Sequence, residues 1–245
     1  MKILMLFIYS DDELYNKMLK LQQQYVHSHR YITSYFVQMS PNIEKDIIIK
    51  NDIIYVKGNE SKMNILKKTI KALELLIHRE NYDYVIRTNM STVTNLNLLY
   101  EYCSRLPNKN IYSGGRFLEL EWLDKNYGIN DTSLFGTIFL QGCFIVFSID
   151  IIKKIIQNQD LLDFSIIDDV SIGIYIKKYT DINLANMEQI KPEFCLDNLE
   201  KSKLINYSNN TKYVAYRNHR IKKYSYGNRE VDIPEIANQI KCLYK

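Results

Sequence analysis

The sequence has only four cysteines in 245 residues, Cys103, Cys143, Cys195 and Cys242, with no CxxC pair and no histidine at ligand spacing. That argues against a zinc ribbon and against a disulfide framework, and leaves reduced, packed thiols. Long apolar runs are lacking too. The run from Lys2 to Tyr9 is too short to span a bilayer and is followed by Asp11 and Asp12 rather than by a small-residue cleavage site. It reads as a buried first strand. No other stretch approaches the roughly 20 residues of a transmembrane helix, so the expectation is a soluble protein of the cytoplasm. Eight glycines and four prolines leave no linker or low-complexity segment. Neither GxGxxG nor a Walker A sequence follows any strand-like run, and no repeat recurs at a fixed period, which removes support for dinucleotide and P-loop chemistry.

What is present is the composition of a compact globular chain, 46% apolar and 24% charged. Its net charge of +4 is too modest to name a partner by itself. Runs rich in Ile, Val, Tyr and Phe predict strands at Ile3–Tyr9, Tyr31–Val37, Ile47–Val56, Tyr84–Thr88, Ile111–Ser113 and Thr137–Phe147. Between several of them lie helical patterns. From Lys62 to Arg79, the apolar residues Met63, Leu66, Ile70, Leu73 and Ile77 step by three and four. Further helices are predicted from Asn95 to Leu106, from Asp150 to Ile156, from Asp168 to Tyr179, and from an Asp232 N-cap through Pro234 and Glu235 to Leu243. Strand, helix, strand alternation predicts an α/β sandwich in one domain spanning residues 1–245.

Four places carry chemistry. Arg87, Thr88, Asn89 and Ser91 close a predicted strand with a cation, hydroxyls and an amide, which suit a ribose or a diphosphate; the same residues also make an ordinary Asn/Ser turn. Gly142 interrupts a β-branched and aromatic run, which fits either a bulge or the close approach of a ligand. Asp168 and Asp169 open a helix, where carboxylates are favoured by unpaired amides and the helix dipole. A basic stretch from Arg217 through His219, Arg220, Lys222 and Lys223 lies between tyrosines; it is read as a clamp on a leaving diphosphate, as a solvated face, or as a surface for single-stranded nucleic acid.

These motifs resemble a known superfamily. A Lys-bearing helix from Asn64 to Thr69, then Tyr82-Asp83-Tyr84-Val85-Ile86-Arg87-Thr88-Asn89-Met90-Ser91, then Gly142 to Asp150, then Asp168-Asp169-Val170-Ser171-Ile172-Gly173 follow the order of the β1,3-galactosyltransferase and Fringe-like superfamily. There, a strand ending in DxD, a Gly-aromatic-Ser-Asp element and an (E/D)DVxxG motif recur. From Asn64 to the C-terminus the chain also resembles glycosyltransferase-like proteins of giant DNA viruses, which carry RTNxS in place of DxD. The resemblance implies a GT-A-like α/β/α sandwich with a mostly parallel central sheet, and an enzyme that moves a sugar from a nucleoside-diphosphate sugar, UDP by default, to an acceptor hydroxyl with inversion. It implies Asp169 as general base with Asp168 beside it, and donor contacts from Tyr9, Lys68, Arg87, Thr88, Asn89, Ser91, Gly142, His219, Arg220 and Lys222.

In that superfamily the DxD carboxylates hold a divalent cation on the diphosphate. Here the matching positions are Asn89 and Ser91, a neutral amide and a hydroxyl with little attraction for a hard cation. The expectation is therefore that no cofactor is required, or that Mn²⁺ or Mg²⁺ binds weakly, with Asn89, Ser91 and His219 as the nearest candidate ligands. The expected partners are a nucleotide sugar and a glycan or glycoprotein acceptor, in the host-cell cytoplasm if the chain is viral. Two other classes stay open: a noncatalytic nucleotide-sugar-binding module of the same fold, and a nucleic-acid-binding protein using the basic stretch.

Overall fold

A computed structural model describes residues 1–197, 212–218 and 229–244 of the chain. The central sheet is built from β1 (Ile3–Ile8), β2 (Ile32–Ser40), β3 (Ile47–Lys50), β4 (Ile53–Lys57), β5 (Tyr84–Asn89), β7 (Tyr112–Gly114) and β10 (Phe144–Ser148), in the order β3-β4-β2-β1-β5-β10-β7. β4, β2, β1, β5 and β7 run in one direction and only β3 and β10 oppose them, as expected for a mostly parallel sheet. A smaller sheet orders β11 (Phe194–Asp197), β12 (Ala215–Asn218) and β6 (Thr92–Thr94). A hairpin pairs β8 (Phe117–Glu119) with β9 (Ile138–Leu140).

β1 shows why the sheet is central. All six of its residues are buried; Leu4, Leu6 and Ile8 face one apolar cluster and Ile3, Met5 and Phe7 the other. A strand covered on both faces reads as a continuous apolar run rather than an alternating one. The first cluster is closed by α2 (Ile65–Leu76), α4 (Ile149–Gln157) and α5 (Asp168–Tyr179). The second is closed by α1 (Glu13–Gln22), α3 (Leu96–Arg105) and α7 (Asp232–Leu243). α6 (Leu184–Gln189) follows α5. The result is a GT-A-like α/β/α sandwich. Among the described residues no helix is long and apolar enough to cross a membrane, and the four cysteines are free.

Three expectations are corrected. The run Ile47–Val56 is a hairpin, because Asn51 adopts a left-handed backbone (φ 56°) and turns the chain between β3 and β4. The run Thr137–Phe147 is two strands in two different sheets, β9 and β10, broken by residues 141–143; Gly142 thus lies in a connecting loop rather than in a strand. Asp232 is the first residue of α7 rather than its cap, since its buried carboxylate is turned to Arg229 at 3.1 Å.

Candidate active site

The carboxyl ends of β1 and β5 lie side by side, with Leu6 opposite Arg87 and Ile8 opposite Asn89. Open α/β sheets bind ligands at such strand ends. β10 runs along the other edge of β5, so the loop before it, residues 141–143, folds over the same end. Thr88 and Thr92 both donate their hydroxyls to the Cys143 carbonyl, at 2.9 and 3.1 Å, and fix that loop.

The start of α5 closes the site. Asp168 is buried, and its Oδ2 accepts from Arg87 Nη2 at 2.6 Å, tying helix to strand across the apolar core. Asp169 keeps some surface. Its Oδ2 accepts from the Gly142 N–H at 3.0 Å and its Oδ1 from the Val170 N–H at 2.9 Å. Burial, followed by the neighbouring Asp168 carboxylate, pushes the Asp169 carboxyl up from 3.8 to about 7; Arg87 and the two amides oppose the shift. Two adjacent carboxylates at one helix start thus sit in different surroundings, Asp168 ion-paired to Arg87 and Asp169 bonded by two backbone amides.

α5 reaches this position because Gly173 has no side chain: a Cβ there would lie 2.5 Å from Phe139 Cβ and 2.9 Å from the Ile138 carbonyl oxygen. The glycine of the DDVxxG sequence therefore has a packing role, setting how closely α5 approaches β9.

Lys68 lies beneath the site. It is 1% exposed, and its Nζ donates to the Tyr9 carbonyl at 2.6 Å and to Glu60 Oε1 at 2.7 Å. Burial pushes its pKa down, opposed by Glu60. Its ammonium is thus engaged inside the protein, fixing the end of β1. Tyr9 is also buried; its hydroxyl donates to Asn16, and burial raises it to about 12.

Asn89 and Ser91, at the positions matched to DxD, are brought together, and neither is available as a cation ligand. Asn89 Oδ1 accepts from Ser91 Oγ (3.2 Å) and lies 3.0 Å from Thr92 Oγ1, whose single proton it shares with the Cys143 carbonyl, while Ser91 Oγ accepts from Arg217 Nη1 at 2.7 Å. A guanidinium bonded to the candidate ligand repels a second cation. Among the described residues no three His, Cys, Asp or Glu side chains gather to hold a metal. Among the described residues, this amide and hydroxyl, already bonded to their neighbours, do not fit a divalent cation.

Arg217 is the site residue that sequence reasoning placed only at the edge of a basic stretch. β12 pairs with β6, Arg217 opposite Thr92, and so delivers its side chain to Ser91 across 126 positions of sequence. Burial lowers its pKa. Asn218 supports it, donating its backbone N–H to the Ser91 carbonyl at 2.8 Å while its side-chain amide pairs with Gln239. His219, Arg220, Lys222 and Lys223 lie outside the described residues.

Asp169 also borders a cleft of about 150 Å³ lined by Leu120, Trp122, Tyr127, Phe139 and Gln141 among others. None of those five was marked by the sequence reading; the chain's single tryptophan was the available signal.

No family model and no curated protein sequence matches the chain. Among solved structures, a glycosyltransferase involved in the glycosylation of the major capsid of PBCV-1 aligns with a TM-score of 0.51 at 9% identity, over 96% of this chain and 98% of that one. The galactosyltransferase LgtC, solved with donor and acceptor sugar analogues, aligns at 0.43 and 9% identity over 96% and 95%. At such identity the first likeness is one of fold, and the second adds no weight to it.

Proposed function

We propose that the chain is a glycosyltransferase that moves a sugar from a nucleoside-diphosphate sugar, UDP by default, to an acceptor hydroxyl with inversion. The observation that carries the reading is Asp169: a half-buried residue at the strand ends whose carboxyl borders a cleft and is raised by burial to about 7. A general base works best with a pKa near the operating pH. The fold shared with a capsid glycosyltransferase agrees with it.

In this mechanism Asp169 takes the proton of the acceptor hydroxyl as its oxygen bonds to the anomeric carbon. The bond from that carbon to the diphosphate oxygen breaks, and the nucleoside diphosphate leaves with the electron pair. The leaving group's growing charge needs fixed cations. Arg87 is committed to Asp168, so we assign this role to Arg217, with Arg220 and Lys222 as further cations. Asp168 acts on the site through Arg87, and Lys68 acts through Tyr9, both as positioning residues. Asn89 and the Gly142 backbone keep surface at the end of β5 for the donor, while Thr88 and Ser91 are buried and act by holding the loop and Arg217 in place.

The test is to mix purified protein with UDP-glucose, UDP-galactose, UDP-N-acetylglucosamine and GDP-mannose, and to read thermal stabilisation together with release of the nucleoside diphosphate. A ligand that binds only the folded state raises its melting temperature. Stabilisation with release is the expected result. Stabilisation without release would make the chain a binding module, and neither effect with any donor would overturn the reading.

A further inference from the structure

We infer that the cleft between the β8–β9 hairpin and the start of α5 is a subsite for a saccharide acceptor, in which one sugar ring lies against Trp122 and presents a hydroxyl to Asp169. The inference rests on Asp169 as the general base; the subsite itself stands on separate observations.

Trp122 is the only tryptophan in the chain and is 45% exposed. It is held in place: its ring tilts against Phe139 at 6.2 Å and 58°. An exposed tryptophan on the wall of a largely apolar cleft marks a place where something binds.

The chemistry of the lining selects the ligand. Trp122, Tyr127 and Phe139 supply aromatic surface, while Gln141, Asp124 and Asp169 supply hydrogen-bonding groups at the same cleft. A pyranose ring matches this combination, because one face presents C–H groups and its rim presents hydroxyls. An aromatic ring that is apolar in body and wetted at one edge suits such an amphipathic partner. At about 150 Å³ the cleft admits a ring, and it is too small to take a folded partner or an apolar helix.

The cleft is also rigidly joined to the base. Beneath it, Leu120, Ile129, Phe139, Ile166 and Val170 form a small apolar cluster of their own. Val170 adjoins Asp169, and Phe139 carries Trp122. The carboxylate and the indole therefore both border this one packed cluster, which gives them a common support for positioning a hydroxyl.

The single tryptophan makes its own emission the readout. Lactose, maltose and methyl β-D-glucopyranoside are titrated into the full chain with UDP present, and a saturable change in intensity or wavelength is expected for at least one. In parallel, Trp122→Ala should raise the acceptor KM about tenfold, while Trp122→Phe, which keeps a stacking ring, stays within about threefold of wild type. Stabilisation by UDP, which in this reading does not contact the cleft, should be unchanged in both variants. No emission change with any of the three saccharides, a wild-type KM for Trp122→Ala, or efficient transfer to a serine peptide with none to saccharides would each overturn the inference. Absence of donor turnover counts against Asp169 as base alone, since the emission titration still reports whether saccharides bind.

Discussion

A Cβ placed on Gly142 would lie 2.7 Å from Nη1 of Arg87 and 3.1 Å from its Cζ. The loop backbone is pressed onto the guanidinium, and the guanidinium is held from the other side by Asp168 at 2.6 Å. It has no free path of retreat in a buried setting. Gly142→Ala should therefore push Arg87 off Asp168 and disturb the amide that Gly142 donates to Asp169. A loss of about 1–3 kcal/mol in denaturant unfolding, the usual cost of overpacking, is expected together with reduced transfer. Wild-type stability and transfer would show that the ion pair shifts aside without cost.

The two carboxylates should separate by substitution. Asp168→Asn leaves the Arg87 charge buried without its partner, which costs about 3–5 kcal/mol, so this variant unfolds early or fails to fold. Asp169→Asn keeps the fold and donor affinity, while transfer falls by roughly a hundredfold or more. Melting curves and transfer rates of the pair check this; equal loss of stability in both would remove the distinction.

These contacts also show how far the sequence could be read. β1, β5, α2 and the start of α5 were legible because their apolar spacing or paired carboxylates are local signals. The break at Asn51-Asp52 was readable in principle from a turn-forming pair, but the apolar residues on both sides concealed it. α1 was missed because only Met18, Leu19 and Gln22 of its ten residues are buried, a stripe too thin to stand out. The Arg217–Ser91 bond depends on β6 and β12 meeting across 126 positions, and no local pattern encodes that. Trp122 is exposed, and composition alone does not tell an exposed tryptophan from a core one.

The pH dependence has a definite sign. Burial raises the Asp169 carboxyl from 3.8 to about 7, so between those values the folded protein holds a proton that the unfolded chain has released. Stability contributed by this group is thus present at acid pH, falls as pH climbs from 3.8 toward about 7, and is level above. Transfer runs the opposite way, rising through about 7 as the base becomes available. Asp169→Asn should flatten the rise in transfer and lessen the decline in melting temperature over that window. Paired pH profiles of wild type and variant measure both; an unchanged melting profile in the variant would assign the titration to another group.

The last prediction concerns the cation. Where DxD carboxylates would hold a metal, Ser91 accepts a hydrogen bond from Arg217 and Asn89 Oδ1 accepts from Ser91 and shares the Thr92 proton with the Cys143 carbonyl. A guanidinium already carries a fixed positive charge and a planar fork of donors suited to phosphate oxygens. Holding it at the end of β5 costs some desolvation, which the lowered pKa of Arg217 reflects, and a diphosphate arriving there would offset that cost. The donor should therefore bind and react in excess EDTA at rates within about twofold of those with Mn²⁺, against the losses of orders of magnitude expected when an essential metal is removed. Arg217→Ala should weaken UDP binding by roughly tenfold or more, the scale of a charge-assisted hydrogen bond, and make the remaining binding less sensitive to salt. Arg217→Lys should recover part of the affinity, since the charge returns without the fork. Calorimetric titration of UDP with EDTA and with Mn²⁺, for wild type and both variants, reads these quantities without any turnover. Complete loss of binding in EDTA with full recovery in Mn²⁺ would show that a metal is held after all, and would return His219 to consideration as its ligand.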